Sequence, residues 1–122
     1  IDHARENARA EGVSVNFFPL NVIEYPLPEG FDVLTCSLFF HHLSREDALS
    51  LLKKMGQSTP LVLVNDLSRS RLNFLMVWLA SRLFSRSYVV HVDGPLSVRG
   101  AFTRKEFLQL SEEAGLNSAQ IK

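Results

Sequence analysis

Two adjacent histidines, His41 and His42, close a nearly unbroken apolar run, Leu34-Thr35-Cys36-Ser37-Leu38-Phe39-Phe40. An unperturbed imidazole titrates at about pH 6.5 and so exchanges protons near neutrality, which suits it to general base work. Asn65 and Asp66 close a second apolar run, Leu61-Val62-Leu63-Val64. A carboxylate at such a place contacts a ligand, caps the following helix or pairs with an arginine; Asp66-Leu67-Ser68 favours capping or an arginine pair. The two histidines are not a metal site by themselves, because zinc needs a fuller ligand set. His3 and His91 stand apart, as surface or loop residues. The lone Cys36 lies within the first run and reads as a buried, inert thiol rather than a nucleophile.

The elements that must position these residues follow from periodicity. An apolar run that ends in a polar turn and then a helix is how a parallel strand covered on both faces reads in sequence. Two strands are expected on this basis, Phe31 to Phe40 and Leu61 to Val64. A third, Val13 to Phe18, is expected from alternation of Val13, Val15 and Phe17. Ile1, Ala4 and Ala8 recur at helical spacing, with Gly12 as a stop. Pro19, Pro26, Pro28 and Gly30 mark a loop. Ser44-Arg45-Glu46-Asp47 has the form of a capping box, followed by the stripe Ala48, Leu51, Leu52 and Met55 and a stop at Gly56. Ser70 opens a helix with Leu72, Leu75, Met76, Leu79 and Leu83 on one face, widened by Phe74, Val77 and Trp78.

Ser87 to Val92 is rich in β-branched and aromatic residues, and Asp93-Gly94-Pro95 reads as a turn. Thr103-Arg104-Lys105-Glu106 is a second capping box, with Phe102 and Phe107 placed as a hydrophobic staple. Gly115-Leu116 suits a Schellman stop. The chain closes on what reads as the start of another strand. Alternating helices and strands imply a parallel sheet with helices on both faces, and right-handed crossovers favour a doubly wound α/β arrangement.

At 122 residues and 46% hydrophobic the chain is bounded to one domain with a real core. Lys and Arg balance Asp and Glu at 13 each, so bulk charge does not point to nucleic acid. Arg69, Arg71, Arg82, Arg86, Arg99 and Arg104 nevertheless give the later part a basic bias against Asp66 and Asp93. A solvated face explains this most simply; an acidic acceptor, an anionic membrane surface or RNA are the functional alternatives. The stretch from Leu72 to Leu83 is broken by Asn73, Ser81 and Arg82, whereas a span needs about 20 mostly apolar residues, so no stable membrane insertion is expected. The wide apolar face around Phe74, Trp78 and Phe84 fits a lid over a lipophilic acceptor, core packing or a homodimer contact. One cysteine and no signal peptide make a reduced, cytoplasmic setting the default.

Phe31-Asp32-Val33, the apolar strand, His41-His42-Leu43, and the pattern Phe102-Thr103, Glu106-Phe107, Glu113-Ala114-Gly115-Leu116 together resemble the class I S-adenosylmethionine-dependent methyltransferases. The likeness is to their small-molecule group, which includes ubiquinone- and menaquinone-biosynthesis enzymes, and it covers nearly the whole chain in order. It implies a Rossmann-like, doubly wound, mostly parallel sheet, with S-adenosylmethionine as cofactor and a small, apolar or phenolic acceptor. By position in the motif, Asn21 would contact the adenine amino group where the family commonly has an acidic residue, and Val22 would pack on the adenine face. Ser37, Phe39 and His41 would line the cofactor crevice, with His41 as candidate base.

The family's glycine-rich loop and ribose-binding acid have no counterpart, since no Gly-x-Gly occurs. The family places its first two strands between the third and fourth, here Val13–Phe18 and Phe31–Phe40. Residues 1–122 are therefore expected to form a single partial methyltransferase domain, incomplete at its N-terminus. The alternative is a non-catalytic methyltransferase-like module used for protein contact.

Overall fold

A computed structural model describes residues 1–117, 119 and 120. The elements are α1 (Asp2–Ala10), β1 (Val33–Ser37), a 3-10 turn (Phe40–His42), α2 (Arg45–Ser58), β2 (Leu61–Asn65), α3 (Arg71–Phe84), α4 (Tyr88–Gly100) and α5 (Arg104–Glu113). The chain is thus a mixed α/β unit with a small parallel sheet among the described residues. β1 pairs in parallel with β2, from Val33 opposite Leu61 to Ser37 opposite Asn65. Parallel neighbours need a crossover, and α2 supplies it.

Caps set the helix starts. The Ser44 hydroxyl accepts from Asp47 N–H at 3.1 Å, while its own proton goes to the Asp47 carboxylate at 2.8 Å, so this cap lacks the reciprocal bond of a full box. Ser70 caps α3 by accepting from Asn73 N–H at 3.0 Å. At α5 the box is complete: Thr103 accepts from Glu106 N–H, and the Glu106 carboxylate accepts from Thr103 N–H. Glu106 also receives Arg69, and these contacts, led by the Thr103 backbone bond, hold its carboxyl below the usual range. The α5 stop is a Schellman motif, with Leu116 N–H donating to Ser111 and Gly115 N–H to Glu112.

One face of the sheet is covered. Leu34, Cys36, Val62 and Val64 pack toward a core of Phe40, Ala48, Leu51, Leu52, Met55 and Leu110. The other face, carrying Val33, Leu61 and Leu63, is exposed. The strands are composed for cover on both sides and receive it on one.

Four local expectations differ from the structure. The strand expected over Phe31 to Phe40 is shorter, Val33–Ser37, because the backbone turns left-handed at Leu38 and Phe40–His42 form the 3-10 turn. Val13 to Phe18 alternates but forms no strand, because no ladder partner lies beside it. Ser87 to Val92 and Asp93-Gly94-Pro95 are not a strand and a turn; residues 88–100 form α4, with Pro95 inside it and buried. Packing of α4 on α3 overrides the local turn signal. Gly56 does not end α2, which continues to Ser58. A Cβ at Gly56 would lie 2.7 Å from the Leu116 side chain, so this glycine leaves room for the α5 cap instead. The expected closing strand falls partly on Ser118, Ile121 and Lys122, outside the described residues.

Candidate functional site

Phe40 anchors the region. Its side chain is buried in the core and meets Phe107 of α5 edge-on at 5.3 Å between centroids. This fixes the turn that carries Phe39 on one side of it and His41 on the other. Leu38, just before, adopts a left-handed backbone with φ +52°. For a residue with a Cβ that costs on the order of 1 kcal/mol, and it turns the following backbone N–H groups inward.

Asp66, at the end of β2, collects those groups. Its Oδ2 accepts from the N–H of Phe39 at 2.8 Å and of Phe40 at 2.6 Å. Its Oδ1 accepts from Leu67 N–H at 2.7 Å and lies 2.6 Å from His41 Nδ1. The His41 and Asp66 side chains are only 6% and 9% exposed. Burial alone would raise the Asp66 carboxyl; the His41 bond and three backbone donors outweigh it and hold the carboxyl below its ordinary range. An ionised carboxylate only accepts, so His41 donates from Nδ1, and in the neutral ring Nε2 keeps the lone pair. His42 is exposed, with its ring 4.0 Å from that of His41. The Cys36 thiol is pushed up, by burial first and by the Asp66 charge second, and so stays protonated.

A cavity of about 310 Å³ lies beside β1, between the loop before it and α2. Leu20, Val22, Leu27, Leu51 and Met55 give it an apolar wall; Thr35 and Ser37 give it hydroxyls. Lys54 secures that loop, donating to the carbonyls of Val22, Ile23 and Tyr25 at 3.1, 2.6 and 3.2 Å.

The structure therefore brings Val22, Ser37 and Phe39 together on one cavity. Asn21 and His41 do not line it. Asn21 folds its Oδ1 back onto Ile23 N–H at 3.2 Å, an Asx turn, and its carbonyl accepts from Tyr25 N–H. His41 belongs to the Asp66 junction. Phe39 links the two, lining the cavity while its N–H holds Asp66. The sequence favours a cap or an arginine partner for Asp66; in the structure it pairs with histidine. The signal was available, since adjacent parallel strands bring the residues after Ser37 and Asn65 to the same end. Nothing local announced Lys54 as the tie of the loop.

The cavity wall holds no carboxylate, imidazole or amine. It can bind an apolar or flat group and offer hydroxyl hydrogen bonds, while the proton-handling pair sits at the adjoining strand end. Among the described residues no group of His, Cys, Asp and Glu is placed to hold a metal ion, and no helix is long and apolar enough to cross a membrane. Comparison with protein-family models, curated proteins and solved structures returned no match.

Proposed function

We propose that this chain is part of an S-adenosylmethionine-dependent methyltransferase with a doubly wound sheet, acting on a small, apolar or phenolic acceptor. The observation that carries the reading is the cavity beside β1, whose wall includes Val22, Ser37 and Phe39. Its volume is at the low end of the roughly 300–1,000 Å³ of small-molecule sites. The residues fit one end of the cofactor, a flat base held between apolar side chains with hydroxyls in reach. They supply no carboxylate for ribose hydroxyls.

When bound, the cofactor brings an already activated methyl group, so the protein's work is orientation and exclusion of water. Val22 and Phe39 would contact the base, Ser37 would hydrogen-bond its edge, and the Asn21 amide borders the same loop. His41 has two roles open to it. With Nδ1–H held by Asp66, Nε2 accepts the acceptor's proton; alternatively the pair fixes the turn that carries Phe39.

Calorimetry with S-adenosylmethionine tests the reading. Residues 1–122 should bind weakly or not at all, and a form that adds a glycine-rich loop and a ribose carboxylate should bind and transfer methyl groups. Absence of both in that form would reject it. His41→Ala there should cost about 10²-fold in rate and alter the acidic limb of the pH profile if His41 is the base. A smaller loss with an unchanged profile assigns it to positioning.

The rival reading is a protein-contact module without catalysis. Its support is the accessible surface of 9112 Å², against about 6,600 Å² for a compact chain of this mass.

A further inference from the structure

We propose that the tip of the α3–α4 hairpin, Leu83 to Val89, docks reversibly onto an anionic lipid bilayer surface. The two helices pack on each other and are joined by only Ser85-Arg86-Ser87, so they fold back as a hairpin. At the turn, Leu83, Phe84, Tyr88 and Val89 are 74%, 88%, 79% and 70% exposed. Side chains that open have few neighbours, so the apolar groups protrude rather than line a groove. A protruding apolar tip suits a deformable lipid surface, where aromatic residues sit at headgroup level.

Charge selects the kind of surface. Residues 71–100 hold four arginines, Arg71, Arg82, Arg86 and Arg99, and one acid, Asp93. Among the described residues none of these arginines has a carboxylate partner. Arg82 instead lies 4.2 Å over the Trp78 ring, and Arg99 4.8 Å over Phe74. Arg82 precedes the protruding residues, and Arg86 stands among them in the turn between Phe84 and Tyr88. A second copy docking tip to tip would bring these cations together, whereas anionic headgroups neutralise them. The helices, of 14 and 13 residues, are too short to span and would rest at the interface.

The test uses the 122-residue chain with vesicles of phosphatidylcholine alone, or with phosphatidylglycerol as a minority lipid. Co-sedimentation should occur with the anionic vesicles only and weaken with added salt. Trp78, the sole tryptophan, should shift its emission to the blue on binding and be quenched by brominated acyl chains. Phe84→Ser should weaken binding about tenfold, and the double change Arg82→Gln, Arg86→Gln about 25-fold. Both changes alter exposed side chains, and circular dichroism checks that the fold is kept. Absence of vesicle binding, equal binding to neutral vesicles, or a dimer that Phe84→Ser abolishes would overturn the proposal.

Discussion

Asp66 accepts from His41 and from three backbone N–H groups across the ends of two strands. Asp66→Asn replaces an acceptor oxygen with an NH₂ donor and strands at least one buried partner, at a cost of about 3 kcal/mol at neutral pH. The folded carboxyl lies below its ordinary value, and the unfolded one is at about 3.9. The stabilisation is therefore complete above that value and lost as pH falls through the folded one. Urea denaturation of both proteins should show a wide stability gap at neutral pH that narrows below about pH 4. A gap independent of pH would mean that the carboxylate charge does not matter. Cys36 should alkylate more slowly in the native chain than in urea, because burial and the nearby Asp66 charge both disfavour its thiolate.

Two glycines on different helices make opposite demands. A Cβ at Gly100, the last residue of α4, would lie 2.8 Å from the His41 carbonyl oxygen, and neither backbone gives way easily. Gly100→Ala should cost about 1–3 kcal/mol. At Gly56 the obstacle is the flexible end of Leu116, and alanine restores helix propensity of about 1 kcal/mol; Gly56→Ala should be near neutral by thermal denaturation. The same elements show what a sequence displays. α2, α3 and α5 were legible because Ser44, Ser70 and Thr103 act within one turn of themselves. α4 was not, because Asp93-Gly94-Pro95 carries every local sign of a turn, and tertiary contact, with α3 and with the 3-10 turn, decides against it. Of the candidate site, the strand ends were legible from the apolar runs. The coupling of His41 to Asp66 was not drawn from them, since it depends on the left-handed turn at Leu38, which no residue there announces.

At the scale of the molecule, surface exceeds that of a compact chain by about 2,500 Å², an amount typical of a large stable interface. Part of it is the bare sheet face, where Leu61 and Leu63 are 48% and 51% exposed. The double substitution Leu61→Lys, Leu63→Lys should change the stability of residues 1–122 by less than about 1 kcal/mol. In a larger protein or complex that covers this face, the same change should cost about 3 kcal/mol or more. Equal, large losses in both settings would mean that the face is already packed.

The Asp66 junction also has a temporal side. Its donors, Phe39 and Phe40, lie 27 and 26 residues before it in the chain. None of these bonds forms until the α2 crossover has closed and β1 has met β2. If strand docking follows the rate-limiting step, Asp66→Asn should leave the refolding rate nearly unchanged and accelerate unfolding. The junction would then be a latch that governs how long the two strands stay together and leaves the rate of their first meeting to the helices.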